Sequence, residues 1–151
     1  MKRNRKIGSI TPALTNTTKT TVRFSEVDSM QVVWHGEYVR YFEDGREAFG
    51  RKYPGIGYLD FYAYGYTAPI VDLQLQYVAP LTVNDVAIIE TRLIDTAAAK
   101  LCFEYIIHRE CDGALVARGS SVQVFVDSDG NMCLNNPTFF EEWKRRWIAQ
   151  K

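Results

Sequence analysis

The stretch EVDSMQVVWHGEYVRYFEDGRE, residues 26–47, changes its pattern at His35. Before this histidine, Asp28 is followed by a mostly uncharged run that includes Val33 and Trp34. After it, apolar residues recur every three or four positions, a spacing that places them on one face of an α-helix. These residues are Tyr38, Tyr41, Phe42, Gly45, Ala48 and Phe49. The stretch therefore predicts a turn that carries an aspartate and a histidine and leads directly into an amphipathic helix.

Acidic and basic residues occupy opposite ends of the predicted helix, which also contains one unusual residue. Glu37 lies in its first turn, whereas Arg46, Arg51 and Lys52 lie toward its end, the arrangement that the helix dipole favours. The segment YPGIGY, residues 53–58, is expected to stop it. Gly45 in mid-helix costs about 1 kcal/mol relative to alanine. Its presence predicts that another element packs very close to this helix, such as a sheet wrapped around it.

The rest of the chain reads mainly as β-strands. A first short strand is predicted at residues 20–25, TTVRFS, which are rich in β-branched and aromatic residues. The segment IVDLQLQY, residues 70–77, alternates apolar and polar residues and predicts a strand with one buried face. Three further strands are predicted in NDVAIIETRLI, KLCFEYIIHRE and CDGALVARGSSVQVFVDSDGNM. The last of these has Asp-Gly hairpin turns at both ends.

The order of the predicted elements indicates the fold class. In the last strand, Ala117, Gly119 and Ser121 share one face, where a helix can approach closely. Pro137 then opens an amphipathic segment that we expect to be a short helix. A strand, a long helix, about four antiparallel strands and a terminal helix predict an α+β fold, in which a curved antiparallel sheet covers the long helix.

Composition excludes several classes of function. The 151 residues suit one domain, expected at 20–151 after a flexible, basic and polar lead-in at 1–19. Eighteen basic residues balance eighteen acidic ones, which argues against a nucleic-acid partner. Three cysteines without C-x-x-C spacing argue against a disulfide framework or a zinc site and indicate a cytoplasmic location. No apolar run is long enough to span a membrane.

The longer stretch VRFSEVDSMQVVWHGEYVRYFEDGREAF, residues 22–49, resembles the signature of hot-dog-fold thioesterases of the 4-hydroxybenzoyl-CoA thioesterase family. The family pattern is approximately Asp, two residues, Gly-Val-Val, an aromatic residue, His or Tyr, two residues, Tyr, and later Glu and Arg. The corresponding residues here are Asp28, Val32, Val33, Trp34, His35, Tyr38, Glu43 and Arg46. The similarity continues through TAPIVDLQLQYVAPLTVNDVAIIETRL and covers about residues 20 to 127.

The resemblance implies a fold, an activity and an assembly. The family fold is one helix gripped by a curved antiparallel sheet, which matches the element order derived above. The implied reaction is hydrolysis of an acyl-CoA or acyl-carrier-protein thioester to free acid and thiol, without a metal or another cofactor. Family members form homodimers, often assembled into homotetramers, and their active site lies between two subunits.

The resemblance also implies roles for residues around the turn. In the family, the aspartate at the position of Asp28 attacks the thioester carbonyl or activates the attacking water. Without the resemblance, Asp28 reads as a turn or capping residue. Backbone N–H groups around His35, Gly36 and Glu37 would stabilise the oxyanion, since the first turn of a helix has unpaired donors. The imidazole of His35 either orients the acyl carbonyl or Asp28, or hydrogen-bonds within the turn.

Further residues are expected to bind the substrate or support the site. Trp34 and Tyr38 are candidates to line the acyl pocket, although aromatic residues at helical spacing also form ordinary cores. The segment Thr67, Ala68 and Pro69 resembles the family's loop that reaches the neighbouring subunit's site, with a simple strand entry as the alternative. Glu43 is expected to support the active site or a subunit contact, or else to be an ion-paired surface residue.

Three departures from the family pattern bear on function. The family's glycine after the aspartate is Gln31, which would change the turn or place an amide near the substrate. The asparagine that commonly precedes the helix tyrosine is Glu37, whose charge would oppose an oxyanion, so we expect it to point outward. The turn DTAAAKL, residues 95–101, lacks the basic cluster with which one relative holds nucleotide phosphates. An acyl carrier protein is therefore an alternative carrier.

Two other functions compete with thioester hydrolysis. A hot-dog dehydratase or hydratase also combines a histidine with a carboxylate, but the order from Asp28 to His35 before the helix is that of the thioesterases. A non-catalytic acyl-binding scaffold would keep the fold alone. Retention of Asp28 and His35 counts against the scaffold, whereas Glu37 counts in its favour.

Overall fold

The computed structural model describes residues 6–148. Four of its strands follow one another directly in the chain, without a helix between them. The elements in chain order are β1 (Leu14–Thr21), a 3-10 turn (Phe24–Glu26), α1 (Glu37–Lys52), α2 (Tyr58–Ala63), β2 (Ile70–Tyr77), β3 (Val86–Ile94), β4 (Lys100–Arg109), β5 (Leu115–Val124) and α3 (Thr138–Trp147). None of the helices within the described range is long and apolar enough to cross a membrane.

The five strands form one antiparallel sheet in the order β1-β3-β4-β5-β2. The core of the domain lies between this curved sheet and α1. Alternate residues of β4 point into the core, because Leu101, Phe103, Tyr105 and Ile107 are all buried. The predicted α+β hot-dog fold, with one long helix held by a curved antiparallel sheet, is confirmed.

Helix α1 forms where its periodicity predicts it. Its buried residues include Tyr41, Phe42 and Phe49, which share the apolar face. Gly119 of β5 lies directly under the Phe42 ring, and a Cβ there would overlap that ring and lie 2.6 Å from the backbone oxygen of Gln74. The small residues of β5 therefore let the helix approach, as predicted.

Arg46 departs from the expected position of a charged helix residue. The sequence places it with Arg51 and Lys52 toward the end of α1, but unlike these two exposed residues its side chain is fully buried. Its Nη2 donates a hydrogen bond to the carbonyl oxygen of Ile56 at 2.6 Å, and its guanidinium lies 4.7 Å from the centroid of the Phe103 ring. Burial lowers the pKa of this guanidinium. Arg46 thus fixes the loop after α1.

The first strand lies earlier than predicted. Residues 14–21 form β1, which pairs with β3, whereas the predicted strand at 20–25 runs mostly through a loop and the 3-10 turn. Residues 14–19, assigned to a flexible lead-in, therefore belong to the sheet. The physical reason is that β1 is an edge strand with one fully buried apolar residue, Leu14, and many threonines. Residues 1–5 of the predicted lead-in lie outside the described residues.

Two further differences concern α2 and β2. The short helix α2 was not predicted, because six residues after a glycine-rich turn give too little periodicity. β2 occupies the predicted residues, but its predicted buried face is largely exposed, with Val71 at 60%, Leu73 at 42% and Tyr77 at 49% of full exposure. β2 is the other edge of the sheet, and only part of its apolar face packs against the core, through Leu75 and the contact of Tyr77 with Tyr38.

Candidate active site

Residues 26–34 form a tight hairpin that carries Asp28. The N–H of Trp34 donates to the carbonyl of Glu26 at 2.9 Å, and Val27 pairs with Val33 in an antiparallel bridge. The N–H of Asp28 donates to the carbonyl of Val32 at 2.9 Å. The arm that contains Asp28 therefore runs beside the arm that leads to His35 and α1.

Gln31 occupies a backbone conformation that suits glycine. Its φ is 65°, in the left-handed region that costs a residue with a side chain about 1 kcal/mol or more. The N–H of Gln31 donates to the carbonyl of Asp28 at 2.9 Å, which closes the turn. The turn is thus formed without the family's glycine, and the side chain of Gln31 becomes part of the cavity wall beside Asp28.

The two oxygens of the Asp28 carboxylate differ in their contacts. Oδ1 accepts a hydrogen bond from the N–H of Met30 at 2.8 Å, the geometry of a turn-stabilising aspartate. Within residues 6–148 this is the hydrogen bond that the carboxylate makes, so Oδ2 is available. Asp28 lines an open cavity of about 490 Å³ with Phe24, Val27, Ser29, Gln31, Thr82 and Val83. The turn role and a chemical role are therefore compatible.

Backbone donors lie at the other end of the hairpin. The N–H groups of His35 and Gly36 make no hydrogen bond to any other residue in the described part of the chain. In contrast, the N–H of Glu37 donates to the carbonyl of Trp34 at 2.9 Å. The expectation that Glu37 also offers its N–H to an oxyanion is wrong, because the turn itself uses this donor. Two donors remain.

Trp34 and His35 lie at the surface beside these donors. The Trp34 side chain is half exposed, and its ring centroid is 4.9 Å from that of the His35 imidazole. A Cβ on Gly36 would overlap the Trp34 ring, so any side chain at this position would require the half-exposed Trp34 ring to move. The carbonyl of His35 accepts a hydrogen bond from the hydroxyl of Tyr77 at 2.6 Å.

Tyr38 is a core residue next to the site. It is buried, and its ring contacts that of Tyr77 edge-to-face at 5.2 Å. Burial raises the pKa of Tyr38, while its hydrogen bond to the backbone of Leu81 acts in the opposite direction. Neither Tyr38 nor the other two predicted substrate-binding residues of this segment, Trp34 and Gly36, is among the residues that line the cavity.

Glu37 does not point outward as expected. Only 13% of its side chain is exposed, and its Oε2 is buried without a hydrogen-bond partner among the described residues. Its Oε1 lies 3.7 Å from Nη1 of Arg40, a long ion pair. The first turn of a helix favours a carboxylate, which offsets part of the cost of burying this charge.

Glu43 joins α1 to α2. Its Oε2 accepts a hydrogen bond from the hydroxyl of Tyr58 at 3.1 Å. Burial, and secondly the charge of Glu43, raises the pKa of Tyr58 to about 12. Glu43 lies two helical turns beyond His35 and is engaged with α2, so the predicted support of the active site is at most indirect within one chain.

The segment from Thr67 to Pro69 lies far from the hairpin in the same chain. Thr67 pairs with Val126, and Nε2 of Gln123 donates to the carbonyl of Ala68 at 2.7 Å. This segment precedes β2, whereas Tyr77, which contacts His35, ends it. The two ends of an eight-residue strand are roughly 23 Å apart at about 3.3 Å per residue. One chain therefore does not bring these residues to Asp28.

Sequence reasoning missed several residues of the site. Tyr77 was assigned only to a strand face, and its proximity to His35 depends on a contact across 42 residues. Phe24, Ser29, Thr82 and Val83 line the cavity without any motif of their own. Phe24 and Ser29 flank Asp28 closely in sequence, and that is the one signal that could have found them.

Comparison with known proteins identifies relatives over most of the chain. Residues 22–148 match the model of the thioesterase-like superfamily. YneP of Bacillus subtilis (strain 168), provisionally named as an acyl-CoA thioesterase, is 29% identical over 130 residues, which are 86% of this chain and 93% of YneP. The resemblance to the hot-dog thioesterases is thus confirmed.

Solved structures agree with this result. A hypothetical protein of Thermus thermophilus, TT1821, has a TM-score of 0.76 and 29% identity, and the match covers 91% of this chain and 98% of that protein. Slr0204 of Synechocystis, a 1,4-dihydroxy-2-naphthoyl-CoA thioesterase, has a TM-score of 0.77 and 17% identity, with 85% of this chain and 94% of Slr0204 covered. At 17% identity, the latter supports the fold alone.

Proposed function

This chain belongs to the thioesterase-like superfamily and is a thioester hydrolase, and we propose that Asp28 carries its chemical step. The observation that carries the proposal is the state of the carboxylate. Oδ1 is held by the turn through Met30, whereas Oδ2 has no hydrogen-bond partner among residues 6–148, and Asp28 lines an open cavity. A held carboxylate with one available oxygen is suited to act as a nucleophile or as a general base.

The reaction requires charge stabilisation as well as attack. When Asp28, or a water molecule that it deprotonates, adds to the thioester carbon, the carbonyl oxygen becomes an oxyanion. The N–H groups of His35 and Gly36 are the donors suited to bind it. Collapse of this intermediate breaks the carbon–sulfur bond and releases the thiolate, which takes up a proton. In the nucleophilic route, water then hydrolyses the acyl–Asp28 anhydride to the free acid.

The substrate is an acyl thioester of coenzyme A or of an acyl carrier protein. The name of YneP supports coenzyme A as the carrier. Phe24, Val27 and Val83 give the cavity an apolar wall suited to an acyl group. The three cysteines, Cys102, Cys111 and Cys133, carry thiols rather than disulfides, which supports a cytoplasmic location.

We further propose that the active site is completed in a homodimer, which can assemble into a homotetramer. β2 is an edge strand with exposed apolar side chains, including Val71 and Leu73, and such an edge favours pairing with another strand. In an antiparallel pair of two β2 strands, the start of one strand lies beside the end of the other. The segment Thr67–Pro69 of a second copy would then lie near His35.

Hydrolysis of a panel of acyl-CoA thioesters tests the activity, with the same acyl groups attached to carrier protein. We expect release of free thiol and free acid in equal amounts from at least one series. Thioesters of unsaturated acids distinguish a thioesterase from a hydratase, since a hydratase would consume the double bond without releasing thiol. Absence of thiol release from every member would contradict the assignment.

A further inference from the structure

Tyr77 connects the last residue of β2 to the turn before α1. Its hydroxyl donates a hydrogen bond to the carbonyl oxygen of His35 at 2.6 Å. The two residues are 42 positions apart, and neither the turn nor the strand requires this bond for its own backbone pairing. The Tyr77 side chain is half exposed at the free edge of the sheet, so core packing alone does not account for its hydroxyl.

The bonded oxygen shares a peptide group with a candidate oxyanion donor. The carbonyl of His35 and the N–H of Gly36 belong to the same peptide unit, which is planar and trans. The C=O and N–H of such a unit point in opposite directions. A hydrogen bond that fixes the oxygen therefore also fixes the direction of the N–H. The N–H of Gly36 donates to no other residue within 6–148, so this N–H makes no hydrogen bond that would fix the orientation of the peptide.

The neighbouring donor is fixed in the same manner. The N–H of His35 shares its peptide with the carbonyl of Trp34, which accepts a hydrogen bond from Glu37 at 2.9 Å. The group that fixes the peptide between Trp34 and His35 is thus the backbone N–H of Glu37. The group that fixes the peptide between His35 and Gly36 is the side chain of Tyr77, which we call the clamp. The two peptides are thus oriented by separate hydrogen bonds on their carbonyl oxygens.

One ring contact holds the Tyr77 side chain, and another bounds the peptide that it binds. The buried Tyr38 ring meets the Tyr77 ring edge-to-face at 5.2 Å and limits its rotation. The Trp34 ring lies against Gly36 so closely that a Cβ there would overlap it. The peptide between His35 and Gly36 is therefore bounded on both sides, with its carbonyl bound by Tyr77.

We infer that Tyr77 is a positioning residue, which orients the Gly36 N–H toward the oxyanion through its hydrogen bond to the His35 carbonyl. This inference rests on the proposed function of the site. Loss of one oxyanion donor in other enzymes lowers kcat by roughly 10² to 10³-fold. Loss of the group that only orients a donor has a smaller effect, since the N–H remains present.

Tyr77→Phe removes the hydroxyl and keeps the ring contact with Tyr38. We expect kcat to fall about tenfold with KM within twofold of the wild type, because the orientation matters mainly when charge develops on the oxygen. Tyr62→Phe is the matched control: Tyr62 is exposed on α2 and should retain full kcat. Light scattering should give the same mass for both variants and the wild type.

A spectroscopic measurement separates positioning from a general structural role. The probe is the carba(dethia)-CoA analogue of the best substrate, which keeps the carbonyl but replaces the thioester sulfur with a methylene and is not hydrolysed. Binding to the wild type should shift its carbonyl stretch to lower frequency, and Tyr77→Phe should reverse about half or more of that shift. The result does not depend on whether Asp28 is the catalytic carboxylate, which Asp28→Asn tests separately.

Three results would overturn the inference. The first is an unchanged kcat in Tyr77→Phe, and the second is an unchanged carbonyl stretch of the bound analogue. The third is a change in the mass of Tyr77→Phe, which would assign the hydroxyl to assembly instead of to the oxyanion site.

Discussion

Gly45 on α1 and Ile89 on β3 are in such close contact that a Cβ on Gly45 would lie 2.8 Å from Cγ2 of Ile89. The same Cβ would overlap Oγ1 of Thr91, and both β3 side chains are fully buried. At this point the backbone of α1 lies directly against the sheet. The position of the helix, and with it the position of the donors that precede its first turn, depends on this contact.

We expect Gly45→Ala to destabilise the protein. Alanine would favour the helix by about 1 kcal/mol, but the added methyl group must displace buried side chains of β3, at a cost of about 1–3 kcal/mol. Gly50→Ala on the same helix is the control, since its Cβ would meet Nη1 of Arg46 at an ordinary 3.5 Å. Gly50→Ala should stabilise by up to about 1 kcal/mol. Urea unfolding measures both, and shifts of the same sign in the two variants would contradict this explanation.

The fold could be predicted where periodicity reports burial by the same chain. The face of α1 and the alternation of β4 follow from their sequences, and Gly45 correctly indicated a closely packed sheet. β1 was misplaced because an edge strand with one fully buried apolar side chain carries almost no alternation signal. β2 alternates clearly, yet most of its apolar face is exposed, because alternation does not report how much of an edge strand the helix covers.

The burial of Tyr58, together with the neighbouring charge of Glu43, predicts that stability depends on alkaline pH. The pKa of Tyr58 is raised from 10.0 to about 12, so the folded protein retains a proton that the unfolded chain loses. This stabilisation is complete below pH 10 and is lost as the pH rises toward 12. The free energy of unfolding should therefore fall across this range, and fall less steeply in Tyr58→Phe.

Urea unfolding across a pH series measures this dependence. Tyr62→Phe, which removes an exposed hydroxyl, should keep the wild-type slope. Part of the slope should remain in Tyr58→Phe, because burial also raises the pKa of Tyr105 to about 12. Equal slopes in the wild type and Tyr58→Phe would show that this tyrosine titrates normally.

The exposed apolar face of β2 predicts that the chain is not a monomer in solution. Light scattering should give a mass of at least twice the 17.3 kDa of one chain. Leu73→Arg places a charge in the proposed pair of β2 strands and should yield monomers with little activity, because the partner's Thr67–Pro69 segment is lost. Leu59→Arg, on the exposed face of α2, should remain at least dimeric. A fully active wild-type protein of 17.3 kDa at micromolar concentration would exclude the shared site.

The turn between β3 and β4 predicts weak recognition of the CoA nucleotide. Residues 97–99 are alanines, and the nearby Lys144 is paired with Asp95 at 2.9 Å and with the carbonyl of Thr96 at 3.1 Å. No basic cluster is therefore formed by this turn. A pantetheine thioester should be hydrolysed nearly as efficiently as the corresponding CoA thioester. A hundredfold lower kcat/KM, about 2.7 kcal/mol, would mean that another surface binds the nucleotide.

The geometry of the candidate site could be predicted where it is local in sequence. Asp28 and His35 belong to one hairpin of nine residues and its continuation into α1, so their order and spacing were informative. Tyr77 reaches His35 only through the folded sheet, and no spacing rule reports such a contact. The inward position of Glu37 depends on packing at the first turn of α1, which its charge alone did not indicate.

The kcat of Asp28→Asn tests the central proposal most directly. Asparagine keeps an oxygen that can accept the Met30 hydrogen bond, so the turn should persist while the charge is removed. Asp129→Asn, which removes the same charge from an exposed turn, is the control and should keep the wild-type kcat. His35→Ala should reduce kcat less than Asp28→Asn, because the backbone donors remain. With unchanged oligomer mass, we expect Asp28→Asn to lower kcat by at least about 10²-fold, the effect of removing a positioned base. A correctly assembled Asp28→Asn protein with near-normal kcat would contradict the proposal.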